Sequence, residues 1–449
     1  MLRGQRVLLF GGPLAAWTAR VAELADVGVA EVAVLATEGD GAGALPPRET
    51  ARRIVLDCRQ PTVLQTMRAT SALLADLPTE AVRFVDDVDP TLVIGSFLNE
   101  QPTLAGRAVF AHRRPEWLAL EDKVVIDAFW DRAAVERLPS SIVDATDTTR
   151  VDATRRLMDA GTGTVLAGDA REGFNGGAEY TRLVVTDDDR DEALAFFAAH
   201  CDRVRVMPYL DGIPCSIHGI VFLDQIVALR PIEMVVHQRP TAPRLRYGGC
   251  ATWWDPRPDD RDEMRTIAQR VGARLRDEVD FRGAFTVDGI MTVDGFRPTE
   301  LNPRMGGGLN TMLRGIDELP LQLVLDALVG GIELDYRPDE LETAIVTAGD
   351  ANRAGGTWCT VDDHVATVDD GRLALDADGT VRWAAPDEPA AATLTAGSSP
   401  QRSFVRCMFD AGALPTGTSV GPPTAAFWAF ADRELGTSVG PLAPARSVR

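Results

Sequence analysis

Two carboxylates and a carboxamide lie close together in the segment from residue 280 to 310. Asp288 falls in a run of strand-forming residues, 281 to 290, and Glu300 and Asn302 fall in a second such run after an Asp-Gly turn signal. This pattern predicts a β-hairpin. Carboxylate and amide oxygens suit Mg²⁺, which usually takes only one or two carboxylates from a protein while it holds substrate phosphates.

Loop length decides whether these side chains share one face of the hairpin. With a two-residue loop at Asp294-Gly295, Asp288 and Glu300 point to opposite faces and form no site. With a three-residue loop that begins at Val293, Asp288 lies opposite Glu300, and Asn302 joins them. Spacing alone leaves two interpretations open, a metal site and a solvated polar face on an exposed hairpin.

The motif of the hairpin resembles a known family. It consists of Arg282-Gly283-Ala284, the acid Asp288, and then Glu300-x-Asn302-x-Arg304 followed by glycines. It is similar to the metal-binding hairpin of the ATP-grasp carboxylate-amine ligases. The resemblance implies that Asp288, Glu300 and Asn302 hold the Mg²⁺ ions of MgATP, and that Arg304 faces the acyl substrate.

The same resemblance implies a fold class and a reaction. We expect an α/β protein with the ATP-grasp fold, an N-terminal Rossmann-like domain and a small C-terminal extension. Members of the family phosphorylate a carboxylate with ATP, and an amine attacks the acyl phosphate to form an amide, which releases ADP and phosphate. The expected cofactors are ATP and Mg²⁺, and the expected partners are a small-molecule carboxylate and an amine or peptide acceptor.

Composition excludes several classes of protein. The 449 residues suffice for two to four domains, and the formal net charge of −20 argues against nucleic acid or an anionic membrane as the main partner. No apolar run is long enough to span a bilayer. The six cysteines show no CxxC pair and no histidine at zinc-ligand spacing, which favours a reduced, cytoplasmic protein.

The N-terminal region reads as a βαβ unit. Residues 6 to 10 and 29 to 35 are predicted strands around a helix from Leu14 to Asp26, with further strands at 83 to 85 and 91 to 94. The Gly11-Gly12-Pro13 turn is not a GxGxxG motif. A dinucleotide-dependent enzyme, with Glu38 after the second strand, is therefore a weaker alternative.

Lys123 is the only lysine among the 46 basic residues of the chain. It follows Glu121-Asp122 at the start of a helix predicted to stop before Pro139, and a helix start offers free N–H groups and positive potential. The segment resembles the first nucleotide-binding lysine segment of the family, which implies contact with the phosphates. An ordinary surface lysine is the alternative.

A glycine-rich loop between two strands is predicted within residues 161 to 185. In the family a second lysine usually ends the first of these strands, but this chain has Ala167-Gly168 at that point. Arg171 could replace the charge, or the backbone of Asn175, Gly176 and Gly177 could bind phosphate without it. The alternative for the loop is a mobile surface turn. The alternative for the protein, given the missing lysine, is an ATP-grasp relative that binds nucleotide but is not a ligase.

The next segment resembles the strand and hinge that seat adenine in the family. Pro208, Tyr209 and Leu210 are placed there by resemblance. The backbone of Pro208 and Leu210 would bond the edge of the base, and Met207 and Tyr209 would give apolar contact. Arg230 could reach a phosphate or a substrate carboxylate, and the alternative for it is an ion pair with Glu233.

These assignments divide the chain into four parts. The expected domains are a Rossmann-like domain at 1–115, a small ATP-grasp subdomain at 116–205, a large subdomain with the hairpin at 206–345, and an extension at 346–449. The extension reads as β-rich, with turns at Asp370-Gly371 and Asp378-Gly379, and it is assigned to structure, homodimer formation or substrate gating without a choice among them. The layout is most similar to bacterial peptide ligases of natural-product pathways, such as the pheganomycin-type enzymes.

Overall fold

A computed structural model describes residues 2–39, 43–60, 62–173, 176, 178–239, 244–316, 319–398 and 402–445. The strands are β1 (Arg6–Phe10), β2 (Glu31–Ala36), β3 (Arg52–Val55), β4 (Leu92–Gly95), β5 (Thr103–Leu104), β6 (Arg107–Phe110), β7 (Ser141–Asp144), β8 (Thr164–Gly168), β9 (Thr181–Val184), β10 (Arg203–Pro208), β11 (Ile213–Val221), β12 (Ile226–Gln238), β13 (Leu245–Ala251), β14 (Gly283–Thr292), β15 (Gly295–Asn302), β16 (Gly355–Val361), β17 (Val368–Leu375), β18 (Val381–Trp383), β19 (Ala392–Ser398), β20 (Ser403–Phe409) and β21 (Ala443–Pro444).

The helices are α1 (Thr18–Asp26), α2 (Val63–Ala75), α3 (Thr79–Val88), α4 (Pro115–Leu118), α5 (Ile126–Arg132), α6 (Thr148–Met158), α7 (Asp187–His200), α8 (Pro258–Val279), α9 (Gly307–Met312), α10 (Leu321–Val329), α11 (Pro338–Ala351) and α12 (Gly421–Glu434). Short 3₁₀ turns lie at Leu14–Trp17 and Ala119–Glu121. The chain forms two compact units, Met1–Leu118 with Leu319–Asp335, and Ala119–Glu318 with Tyr336–Arg449. None of the described helices is long and apolar enough to cross a membrane.

The first unit contains a mainly parallel sheet in the order β3-β2-β1-β4-β6-β5. Successive residues of β1 belong to two different cores, Val7 and Leu9 to one and Leu8 and Phe10 to the other. This arrangement explains the continuous apolar run of β1, because a parallel sheet is covered on both faces. The strand predicted at 83 to 85 is wrong, since these residues lie in α3, where Ala81, Val85 and Val88 are buried at helical spacing.

The second unit contains a small antiparallel sheet in the order β7-β10-β8-β9. Its faces are set by register: Arg205 of β10 pairs with Ala167 of β8, and Ala167 pairs with Thr181 of β9. Gly168, the next residue on β8, faces the opposite side of the sheet. Helix α7 covers that side, since a Cβ atom on Gly168 would come within 3.2 Å of Phe197 of α7. Arg205 therefore points away from α7.

The second sheet of this unit has 11 strands, in the order β15-β14-β11-β12-β13-β16-β20-β19-β17-β18 with β21 beside β12. The strands after residue 346 thus continue the sheet that contains the hairpin β14-β15, through pairing of β13 with β16. Asp378-Gly379 is a turn, with Gly379 at a φ of +86°. The turn predicted at Asp370-Gly371 is wrong, because both residues lie inside β17.

Candidate active site

The hairpin places Asp288 of β14 opposite Glu300 of β15, and Thr286 opposite Asn302. The predicted pairing of the two acids is confirmed, but the predicted loop length is wrong. Thr292 pairs with Gly295, so the loop contains only two residues. Taken alone, such a loop would put the two carboxylates on opposite faces.

A β-bulge restores the register. Gly289 pairs with Pro298 while Asp288 pairs with Glu300, so Thr299 is an extra residue on β15. The Thr299 hydroxyl donates a hydrogen bond to the Asp288 carbonyl oxygen at 3.2 Å. The bulge turns Glu300 to the face that carries Asp288.

Asp288 is held by two side chains. The Ser216 hydroxyl of β11 donates to its Oδ1 at 2.6 Å, and Asn302 Nδ2 donates to its Oδ2 at 2.9 Å. Burial, and then the charge of Glu300, raise the pKa of Asp288 to about 7. The carboxylates of Asp288 and Glu300 repel each other in a partly buried position, so a cation between them would lower the electrostatic energy.

Two cations already lie against this acidic pair and its neighbour. Lys123 Nζ is 3.2 Å from Oε2 of Glu300, and its side chain is only 9% exposed. Arg304 donates from Nε to Oε1 of Glu121 at 3.1 Å and from Nη2 to Oδ1 of Asn302 at 2.8 Å. Residues from the short segment before α5 therefore contact both the acid and the arginine of the hairpin.

Lys123 lies in the turn just before α5, rather than inside a helix. The helix predicted to reach Pro139 ends earlier, at Arg132. With its charged group beside Glu300 and its stem buried, Lys123 is not an ordinary surface lysine.

The donor set fits a magnesium ion. Among the described residues, no group of three His, Cys, Asp or Glu side chains is placed to hold a metal. Asp288, Glu300 and the Asn302 amide would supply at most three protein ligands. Mg²⁺ commonly completes such a set with water and substrate phosphate oxygens.

The glycine-rich loop is described only in part. Asn175 and Gly177 lie outside the described residues, and Gly176 lies in a turn. The Arg171 guanidinium donates to the Ala199 carbonyl oxygen and lies 3.4 Å from Asp202, both on the α7 side of the small sheet. The structure thus does not bring Arg171 to the hairpin.

At the position of the absent second lysine, Ala167 faces Arg205 across the small sheet. Arg205 is fully buried and donates to Asp127 of α5 and to the Thr299 carbonyl oxygen. Sequence reasoning missed Arg205 and also Ser216, because only the pairing of strands far apart in the chain brings either residue to the hairpin.

Pro208, Tyr209 and Leu210 follow one another at the end of β10. Tyr209 donates its backbone N–H to the Gly163 carbonyl oxygen at 2.9 Å, and its own carbonyl oxygen accepts from the Thr162 hydroxyl at 3.1 Å. The backbone of Tyr209 is thus tied to the start of β8. The hinge therefore has a fixed backbone path beside the small sheet.

Arg230 is fully buried, and its contacts are with residues outside the hairpin. It donates to Asp255 and to the Gly349 carbonyl oxygen at 2.7 Å, and it lies 3.3 Å from Asp350. The alternative pairing with Glu233 is wrong. Glu233 instead accepts hydrogen bonds at the start of α12.

The N-terminal glycine turn is engaged by its own unit. Gly12 donates its backbone N–H to the Thr37 hydroxyl at 2.9 Å, and Glu38 donates its backbone N–H to the Gly12 carbonyl oxygen at 3.3 Å. Pro13 forms an isolated bridge with Glu38. These contacts hold the turn against the end of β2. A turn that binds a dinucleotide needs free backbone N–H groups for the phosphates, whereas the N–H group of Gly12 is already bonded to Thr37.

Solved structures similar to this chain were found at low sequence identity. The biotin carboxylase domain of Hydrogenobacter thermophilus 2-oxoglutarate carboxylase, with MgADP, ADP and bicarbonate, has a TM-score of 0.59 at 12% identity and covers 91% of this chain and 87% of its own. The L-amino acid ligase from Bacillus licheniformis has a TM-score of 0.55 at 13% identity, with coverage of 97% and 98%.

A third structure is the N5-carboxyaminoimidazole synthase from Aspergillus clavatus, in complex with ADP and its aminoimidazole ribonucleotide. It has a TM-score of 0.54 at 11% identity, with coverage of 96% and 100%. The chain has the ATP-grasp fold. No protein-family model matches the sequence, and no curated protein matches it at a significant level. At these identities the likeness concerns the fold alone.

Proposed function

We propose that this chain is an ATP-dependent carboxylate-amine ligase that forms an amide through an acyl phosphate. The observation that carries the proposal is the cluster on one face of the hairpin, where Asp288, Glu300 and Asn302 lie between Lys123 and Arg304. An oxygen-rich centre flanked by two cations is suited to a polyphosphate and an anionic acyl group.

The reaction needs two displacements. A carboxylate oxygen of the substrate bonds to the γ-phosphorus of ATP, the bond from that phosphorus to the β-γ bridging oxygen breaks, and ADP leaves. An amine nitrogen then bonds to the acyl carbon, the bond from that carbon to the phosphate oxygen breaks, and phosphate leaves as the amine loses a proton. No side-chain nucleophile is required.

The residues act by position and charge. Asp288, Glu300 and Asn302 would hold Mg²⁺, which when bound neutralises charge on the phosphate oxygens. Lys123 would exchange Glu300 for a phosphate oxygen of the nucleotide. Arg304, which contacts Glu121 and Asn302 in the structure, would hold the carboxylate and stabilise the developing oxyanion.

Similar proteins support the choice of ligands. The Aspergillus synthase binds ADP and the Hydrogenobacter domain binds MgADP, which is consistent with MgATP as the nucleotide here. The Bacillus protein is an L-amino acid ligase, and amino acids and peptides are therefore the first substrates to test with this chain.

Product formation tests the proposal directly. The chain would be incubated with MgATP, a panel of amino acids and small carboxylates, and hydroxylamine, while ADP release and hydroxamate are measured. We expect ADP and hydroxamate to appear together with at least one carboxylate. Tight MgATP binding without ADP release for any carboxylate in the panel would contradict the ligase and favour a nucleotide-binding relative.

A further inference from the structure

Arg205 joins three parts of the second unit. Its side chain is fully buried on β10, at an exposure of 0%. Its Nη1 donates to the Thr299 carbonyl oxygen at 3.0 Å, while Nε and Nη2 bind the two oxygens of Asp127 in α5. One guanidinium thus contacts both the bulge of the hairpin and the helix that follows Lys123.

The bulge is the feature on which the metal ligands depend. If β15 continued in the register of Gly289 with Pro298, Asp288 would pair with Thr299 and Glu300 with Val287. Val287 is fully buried on the core face. Because a shift of one residue turns a side chain to the other face, Glu300 would then leave the site.

A bulge leaves a backbone carbonyl group outside the regular ladder, and that group needs a donor when it is buried. Arg205 supplies the donor to Thr299 from outside the hairpin. Its position is fixed in turn by Asp127, which also accepts a hydrogen bond from Ser140 and lies 3.9 Å from Arg137. The arginine therefore has little freedom to release the bulge.

We propose that Arg205 is a positioning residue, which keeps Glu300 opposite Asp288 by holding the carbonyl group of the Thr299 bulge. This inference rests on the proposed function only where it concerns the nucleotide-bound metal. The register of the hairpin can be measured in the protein without any ligand.

Arg205→Lys is the first test variant. Lysine keeps the charge but carries all three of its N–H donors on one nitrogen, so it cannot span both oxygens of Asp127 and the Thr299 carbonyl group as the planar guanidinium does. The double variant Arg205→Met/Asp127→Leu removes the buried ion pair as a whole, and it avoids leaving one charge unpaired if the single variant folds poorly.

Arg353→Lys is the matched control. Arg353 also binds both oxygens of an aspartate, Asp255, at 2.9 and 2.8 Å, and it also donates to a carbonyl group, that of Thr252. None of these contacts is to a residue of the hairpin. Loss of stability alone should therefore appear in both arginine variants, whereas loss of register should appear only at position 205.

Two measurements would be made on the full chain. Hydrogen–deuterium exchange would follow the amides of β14 and β15 without ligand, and calorimetry would give the affinity for ADP with Mg²⁺ and with EDTA. We expect Arg205→Lys to speed exchange around Thr299 and to weaken MgADP binding about tenfold, as for other residues that position metal ligands, with ADP binding in EDTA unchanged.

Unchanged exchange around Thr299 in both variants at position 205 would overturn the inference, as would an equal loss of ADP affinity with Mg²⁺ and with EDTA. So would the same exchange pattern in Arg353→Lys. Failure of the unmodified chain to bind MgADP would overturn the proposed function instead, while the exchange result would still decide whether Arg205 holds the bulge.

Discussion

Lys123, the only lysine of the chain, lies 3.2 Å from Glu300, an acid of the hairpin bulge. The pair joins the segment before α5 to the face that carries Asp288 and Asn302. Glu300 thus offsets the charge of a lysine that the proposed reaction needs for phosphate. Exchange of that partner for a phosphate would free the carboxylate for a metal.

Replacement of Glu300 by glutamine should abolish most ADP release and leave the fold intact. Glutamine keeps the shape of the side chain but loses the charge that a metal and Lys123 require, so we expect a loss of about 100-fold or more. Glu278→Gln is the control, because its side chain is 24% exposed, close to the 25% of Glu300, and is paired with Arg132. Equal rates in the two variants would remove Glu300 from the mechanism.

A single lysine allows its side chain to be observed directly. If the protein is labelled with ¹³C at the Cε atom of lysine, its NMR spectrum should show one lysine side-chain signal, that of Lys123. We expect Glu300→Gln and the addition of MgADP each to shift this signal, because each changes the partner of Lys123. Glu278→Gln should leave the signal in place. A signal insensitive to both changes would contradict the ion pair and the phosphate contact.

The sequence was informative where chemistry and spacing are local. Asp288, Glu300 and Asn302 lie within one hairpin, so their common face could be predicted from alternation along two neighbouring strands. The predicted three-residue loop was wrong, because the residue types around Thr299 give no sign of the bulge that sets the register instead. A two-residue loop with a bulge and a three-residue loop without one give the same pairing of Asp288 with Glu300.

Distant contacts were beyond sequence reasoning. Arg205 and Ser216 reach the hairpin only through strand pairing, and the local sequence around Arg230 does not show which acids it contacts. Its partners Asp255 and Asp350 lie 25 and 120 residues further on. The helix at residues 83 to 85 was missed because the neighbouring strand formers Phe84 and Val85 favour a strand when the wider period is ignored.

Asp288 should make metal binding depend on pH. Its pKa is raised to about 7, chiefly by burial. Because a metal needs the ionised carboxylate, MgADP affinity should rise with pH up to about 7 and level off above it. Asp288→Asn should abolish this rise. Calorimetric titrations between pH 5.5 and 8.5 would test both statements, and an affinity independent of pH in the unmodified chain would contradict them.

The same carboxyl group should reduce stability when no metal is bound. A folded-state pKa above the unfolded value means that the folded chain binds the proton more tightly, so stability falls as pH rises from about 4 to about 7. Asp288→Asn should therefore be more stable than the unmodified chain at pH 8, by up to about 4 kcal/mol, and by less at pH 5. Urea denaturation at both pH values measures the difference, and addition of MgADP should stabilise the unmodified chain more than Asp288→Asn.

Glu233 predicts a second, separate pH effect at the C-terminal strands and helix. Its carboxylate accepts hydrogen bonds from the Ser419 hydroxyl at 2.6 Å and from the backbone N–H groups of Val420 and Gly421 at the start of α12. Burial raises its pKa to about 7 although these three bonds oppose the shift. The free energy of unfolding should therefore fall as pH rises from about 4.5 to 7, and this part of the fall should disappear in Glu233→Gln.

Glutamine retains an oxygen that can accept from the start of α12, so Glu233→Gln should fold, whereas Glu233→Ala leaves buried N–H groups without a partner and should cost about 1 to 3 kcal/mol. Between pH 5 and 8 the stability of Glu233→Gln should change by about 2 kcal/mol less than that of the unmodified chain. Glu434→Gln, at the opposite end of α12, should keep the original pH dependence. If the free energy of unfolding depended on pH in the same way for the unmodified chain and for Glu233→Gln, Glu233 would not change its protonation on unfolding. That result would contradict the raised pKa of this buried carboxyl group.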